Sequence, residues 1–336
     1  MKKRSRVLLV LIIFASLLGP VACAPKSELL STPQADSVSD PRPEKKYKDL
    51  IVGYAQIGAE SEWRAANTIS IKETADHLGV ELRFLDAQQK QANQIEAVRK
   101  LIIQKVDVIG ISPIVETGWD EVFQEAKDAG IPLILVDRRA AVSEDLYVSY
   151  LGSDFLEEGR NAARVMEKLV KGQANIVELV GTIGSAPAND RYTGFREILA
   201  GYPGMQIIDS RSGDFTRARG KEVMEAFLKE HGHQITAVYA HNDDMALGAI
   251  QAIEEYGLKP GTDIKIVSVD AARGAFEAMI DGKLNATIEC NPLLGPQFFD
   301  LALKVVNGQP IPKWVPSIES IFYPEDASAI LPTRKY

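Results

Sequence analysis

From Leu50 onward, short β-branched runs alternate with longer stretches whose apolar residues recur every three or four positions. The strand candidates are Leu50–Ala55, Val106–Ser112, Pro132–Val136, Asn175–Val180, Gln206–Ser210, Ala237–Ala240 and Lys265–Val269. Each is a nearly continuous apolar run, which suits a parallel strand covered on both faces. The spacing predicts helices over Glu62–Leu78, Gln91–Gln104, Trp119–Ala129, Phe155–Val170, Arg217–Glu230 and Met245–Tyr256. Gly79, Gly130, Gly172, Gly232 and Gly257 stand where these helices should stop. Repeated β-α units imply an α/β protein with parallel sheets. Tyr147–Ser153 reads as an extended crossover between two sets of such units.

The amino terminus breaks this pattern. Lys2, Lys3, Arg4 and Arg6 precede the apolar run Val7–Leu18. The run is short for a membrane span, which needs about 20 apolar residues, and fits a signal peptide. Two cleavage patterns overlap. Pro20-Val21-Ala22-Cys23 resembles a lipobox, in which Cys23 is lipidated, although Pro20 replaces the usual aliphatic residue. Ala22-Cys23-Ala24 fits ordinary signal peptidase. Residues 24–47 are rich in Pro, Ser and Glu without apolar period, as a tether would be. That favours the lipid anchor, and an exported protein at the periplasm or the outer face of the cytoplasmic membrane.

The remaining length exceeds one ordinary core, so two lobes are expected. The formal net charge of -8 argues against a nucleic-acid partner. The chain has two cysteines, Cys23 and Cys290, and four histidines. That predicts neither a disulfide, if Cys23 is lipidated, nor a structural zinc site of the Cys-rich kind. Gly181-Thr-Ile-Gly184 lacks the third glycine of a dinucleotide fingerprint, and no nucleophile elbow or phosphate loop is present. No enzyme activity and no cofactor are expected.

Ligands of open α/β sheets bind beyond the carboxyl ends of the strands. Those ends are polar here. Gln56, Glu60, Trp63 and Arg64 follow the first strand, and Asp137-Arg138-Arg139 follows Val136. Asn189, Asp190 and Arg191 sit in a predicted loop after Val180. His241-Asn242 follows Ala240, and Asp270 closes another strand. Carboxylates accept, Arg donates in a planar fork, and Asn does both, which suits sugar hydroxyls. Trp63 and Phe215 are candidate plates for the apolar face of a sugar ring. Each has a structural alternative. Trp63 fits a helix core, Glu60–Arg64 a surface ion pair, and Asp137 and Asp270 helix caps. Asp243-Asp244 reads as a helix start, His241 as structural, and Trp119 and Trp314 as packing.

The sequence resembles the periplasmic sugar-binding proteins of the ribose-binding type across residues 48–336. The resemblance rests on Val136-Asp-Arg138, Asp190-Arg-x-x-Gly-Phe195, Gly213-Asp-Phe215, Asn242-Asp-x-Met-Ala-Leu-Gly-Ala249, Asp270 and Asn285-Ala-Thr-Ile288. Glu60-Ser-x-Trp-Arg-Ala-Ala66, Gln88-Gln-Lys-Gln91, Thr117-Gly-Trp119, Ser212-Gly-Asp-Phe-Thr-Arg217 and Tyr239-Ala-His-Asn-Asp-Asp-Met245 are most similar to the galactofuranose-binding members. The resemblance implies a type I periplasmic binding protein, with two lobes joined by a three-segment hinge. The signal peptide over 1–23 and the tether over 24–47, read from charge and composition, precede the resembling region. The first lobe would comprise 48–152 plus 291–318, and the second 153–290 plus 319–336. The resemblance also implies a monomer that binds galactofuranose or a similar furanose and delivers it to the permease subunits of an ABC importer. Presentation of the ligand to a chemoreceptor or histidine kinase is the alternative. The implied contacts are Trp63, Arg64, Asp137, Arg138, Arg191, Phe215, Asn242 and Asp270; Gln56 and Glu60 are candidates from their place after the first strand. Ribose-type relatives carry Gln where Cys290 stands, so Glu289 is a candidate substitute.

Overall fold

A computed structural model describes residues 43–336. The signal peptide, Cys23 and nearly all of the tether lie outside the described residues. In chain order the first part contains β1 (Ile51–Gln56), α1 (Glu62–Leu78), β2 (Glu81–Asp86), α2 (Gln91–Ile103), β3 (Val108–Ile111), α3 (Asp120–Asp128), β4 (Leu133–Val136) and β5 (Ser149–Gly152). There follow α4 (Phe155–Val170), β6 (Ala174–Val180), α5 (Ala186–Leu199), β7 (Met205–Ser212), α6 (Arg217–His231), β8 (Ala237–Ala240), α7 (Asp243–Tyr256), β9 (Lys265–Asp270), α8 (Arg273–Ile280) and β10 (Ala286–Glu289). The chain ends with α9 (Gly295–Val306), β11 (Trp314–Pro316), β12 (Ile321–Phe322) and α10 (Pro324–Ile330).

Two six-stranded sheets result, ordered β11-β5-β4-β3-β1-β2 and β12-β10-β9-β8-β6-β7. All pairings are parallel except β10–β12. Central strands such as β3, β4 and β8 are wholly buried, as their continuous apolar runs require. Both sheets reverse strand order at their first strand, β1 or β6. The strand ends there open a crevice in each lobe. Among the described residues no helix is long and apolar enough to cross a membrane.

Several elements depart from the sequence pattern. Tyr147–Ser153 is not only a crossover: Ser149–Gly152 pairs in the first sheet before the chain leaves it. Asn189, Asp190 and Arg191 lie on α5, not on a loop, because Ser185 and Pro187 start that helix early. β2 escapes a search for apolar runs because it is an edge strand with alternating Leu82 and Phe84. Helices α1, α6 and α7 end on Gly79, Gly232 and Gly257, whereas in α3 and α4 the residue before the glycine takes the cap. Trp119 is core, but Trp314 is 44% exposed; it stacks on Tyr150 at the sheet edge and donates to Gly152 O.

The chain passes between the sheets three times, after Gly152, after Glu289 and after Pro316. The passages touch: the Ser153 hydroxyl donates to Glu319 Oε1. Burial, with the nearby charge of Glu158, pushes the Glu319 carboxyl up to about 9. The folded protein therefore holds a proton that the unfolded chain releases. Stability from this group is present below the ordinary Glu range and is lost as pH rises toward 9. Urea unfolding midpoints should fall from about pH 5 to about pH 9, and Glu319→Gln should flatten that slope. An equal slope in the variant would contradict the assignment.

Candidate functional site

The cavity lies between the lobes at the strand ends. It is lined by Glu60, Ser61, Trp63, Arg64, Asp137, Arg138, Pro187, Arg191, Phe215, Asn242, Asp270 and Cys290. Nine of the eleven ligand-binding candidates named from the sequence are among these twelve.

In the first lobe, Ser61 caps α1 by accepting from Arg64 N. The cap directs Trp63 and Arg64 off the first turn toward the cavity. Arg64 donates from Nε to Glu60 Oε1 at 3.1 Å and from Nη2 to Asp137 Oδ2 at 2.5 Å. Its guanidinium lies 4.6 Å from the Trp63 ring centroid. Arg138 donates to Ile114 O at 3.2 Å and to Glu60 Oε1 at 3.4 Å. Glu60–Arg64 is thus a buried pair, 4% and 2% exposed, rather than a surface one. Asp137 sits at φ +66°, a left-handed conformation that costs a non-glycine residue about 1–3 kcal/mol. It turns the carboxylate back onto Arg64.

The second lobe supplies the opposite wall. Arg191 donates from Nε to Glu158 Oε2 at 2.7 Å and from Nη1 to His241 O at 2.5 Å, and its Nη2 lies 3.7 Å from Asp270 Oδ1. This reach depends on close packing of α4 on α5: a Cβ at Gly159 would meet Arg191 O at 2.4 Å. Phe215 (φ +60°) lays its ring over Gly181. Asn242 donates to Phe215 O and accepts from Met245 N, so both ends of its amide are used within the protein. It caps α7, whose first residues are Asp243 and Asp244. His241 is buried against Glu178 and does not line the cavity.

The lining holds three arginines and three carboxylates. Burial raises Glu60, but Arg64 and Arg138 more than reverse this and its carboxyl ends below its ordinary value. Burial and the neighbouring Arg64 push Arg138 down to about 10. Burial drives Asp270 well up, against the attraction of Arg191. Two buried atoms at this wall, Glu60 Oε2 and Arg138 Nε, have no hydrogen-bond partner in the protein, although Arg138 Nε lies 3.8 Å from Asp137 Oδ2.

Two sequence candidates stand outside the lining. Gln56 donates to Asn67 and Thr68 and accepts from Ile57 N, so it buttresses α1 from behind. Glu289 turns to the carboxyl-terminal tail, bound by Arg334 at 2.8 Å, the Tyr336 hydroxyl and Ser320 N. The next residue, Cys290, faces the cavity instead, and its carbonyl accepts from Trp63 Nε1 at 2.6 Å. Ser61, Pro187 and Cys290 were not among the sequence candidates. A helix-cap signal at Ser61, and the position of Cys290 where ribose-type relatives carry Gln, were the available clues.

Contacts between the lobes surround the cavity. Arg139 pairs with Asp190, Arg217 with Glu62 at 3.2 Å, and Asn189 donates to Glu116 at 2.6 Å. Glu62 N donates to Asp244 Oδ2 at 2.7 Å. Trp63 of the first lobe packs into the apolar core of the second.

Two doubly wound lobes closed on such a cavity define a two-lobed solute-binding protein of type I. The chain belongs to the periplasmic binding protein family, whose domain matches residues 52–310. It is 45% identical over 291 residues to the galactofuranose-binding protein of Escherichia coli strain K12, covering 85% of this chain and 92% of that one. A Mycobacterium smegmatis protein in complex with β-D-fucofuranose is 52% identical, with a TM-score of 0.84, and the match covers 85% and 95% of the two chains. The periplasmic binding component of the arabinose ABC transporter from Shewanella sp. ANA-3, bound to α- and β-L-arabinofuranose, is 47% identical with a TM-score of 0.83, covering 85% and 95%.

The contact between Gly181 and Phe215 gives a test. A Cβ at Gly181 would lie 1.9 Å from Phe215 Cζ. Gly181→Ala should push the ring into the cavity and weaken ligand binding by more than about tenfold, roughly the 1–3 kcal/mol that overpacking costs. Unchanged affinity by calorimetry would contradict the packing described.

Proposed function

We propose that this protein captures a neutral furanose between its lobes and delivers it to the permease of an ABC importer, without chemical change. The observation that carries this reading is the lining of guanidiniums and carboxyls, which matches hydroxyls. Three guanidiniums and three carboxyls face one small space, with Glu60 Oε2 and Arg138 Nε unpaired. A buried polar atom left without a partner costs about 1–3 kcal/mol, which ligand hydroxyls would offset. The similar proteins named above bind galactofuranose, fucofuranose and arabinofuranose, which supports a furanose over other polyols.

In this reading Trp63 and Phe215 hold the ring faces. Glu60, Arg64, Asp137 and Arg138 bind hydroxyls from the first lobe, and Arg191 and Asp270 from the second. Asn242 positions Phe215 and α7. Gln56 and Glu289 act as supports, the first of α1 and the second of the carboxyl-terminal tail. The amino-terminal segment exports the chain, and a lipid on Cys23 anchors it as a monomer at the outer face of the cytoplasmic membrane.

The test is a calorimetric titration with furanose and pyranose forms of galactose, fucose and arabinose. Binding of at least one furanose is expected, with its pyranose form weaker. No binding to any sugar would overturn the proposal. Arg138→Ala should weaken the preferred sugar by about 10–100-fold, the worth of one charge-assisted hydrogen bond. Mass spectrometry of the exported protein should find diacylglycerol on Cys23; an unmodified mature terminus would overturn the anchor.

A further inference from the structure

Beside the sugar cavity, three side chains converge where the chain passes between lobes; Cys290 also lines the cavity and Glu158 holds Arg191. Glu158 comes from α4, Cys290 from the segment that leaves β10, and Glu319 from the passage after β11. One potential ligand atom of each lies within 4.8 Å of the other two. Cys290 and Glu158 are each 2% exposed.

The bonding of this cluster is incomplete. Glu158 spends Oε2 on Arg191 Nε, and its buried Oε1 has no partner. The Cys290 thiol lies 3.4 Å from the Ser153 hydroxyl and also interacts with the Glu158 carboxyl. Burial holds all three acids above their ordinary values, Glu319 at about 9. A cleft on the hinge side, bordered by Glu157, Glu158, Asn161, Ser317 and Glu319, leads from solvent to both carboxylates. Three acidic groups that are desolvated, mutually repelling and reachable from solvent form a donor set suited to a cation.

We infer that Glu158, Cys290 and Glu319 bind a single divalent cation of the zinc class. One thiolate and two carboxylates match zinc, which accepts sulfur at about 2.3 Å and oxygen at about 2.0–2.2 Å and leaves a fourth position to water. The thiolate selects against magnesium and calcium, which take oxygen ligands. The cation would tie the three passages together beside the sugar cavity, which Cys290 also lines.

The test is a cobalt(II) titration of the full chain carrying Cys23→Ser, which leaves Cys290 as the only thiol of the two in the sequence. One equivalent should bind with a near-ultraviolet thiolate-to-cobalt band, and zinc should displace it. Cys290→Ser should abolish the band. Glu319→Gln should weaken cobalt binding by more than about tenfold, since even outer-shell partners of metal ligands contribute that much. A chain with Cys290 intact that gives no thiolate band would overturn the inference. So would a band that survives Cys290→Ser.

Discussion

Burying six ionisable side chains around one small space dictates most of what surrounds them. An isolated ion in a protein interior costs several kcal/mol, and a pair survives there only with good geometry and further hydrogen bonds. Arg64 meets this condition by bridging Glu60 and Asp137. Arg191 meets it with Glu158, the His241 carbonyl and Asp270. Arg138 is less completely matched, and its guanidinium is correspondingly the one whose charge burial weakens. The set pairs three guanidiniums with three carboxyls but does not saturate their hydrogen bonds, and that difference is the room left for a polar solute.

The fold supplies the positions. Strand order reverses at β1 and β6, so the strand ends that bear these groups face each other across the gap. Left-handed backbone recurs there, at Asp137, Asp214, Phe215, Asp270 and Ala271. Such conformations cost stability at non-glycine residues and persist where surrounding structure fixes them. Around Asp137, Leu151 O accepts from its amide and the Tyr150 hydroxyl donates to its carbonyl. The strain aims the side chain of Asp137 at Arg64 rather than along the strand.

Much of this was legible before any coordinates. Continuous apolar runs marked the central strands, because a strand covered on both faces must be apolar throughout. The polar residues that stop those runs are the cavity walls. Less was legible where periodicity is weak. β2 alternates because it is an edge strand. α5 buries Ala186, Ala188, Gly194 and Phe195 beneath a polar face, so its amino-terminal turn looked like a loop. Gln56 and Glu289 could not be placed from sequence, since the direction of a side chain at a strand end depends on local twist. Glu289 found a partner in Arg334, 45 residues later in the chain and invisible to any local pattern.

Three guanidiniums facing three carboxyls in one desolvated space would favour a neutral polyol over a charged one. The most direct measurement compares the affinity of the preferred furanose with that of a charged analogue of the same skeleton, either a uronate or an amino sugar. An added charge in a desolvated site lacks a partner, so both analogues should bind at least about a hundredfold more weakly, near 3 kcal/mol. Either charged analogue binding as tightly as the neutral sugar would contradict the account.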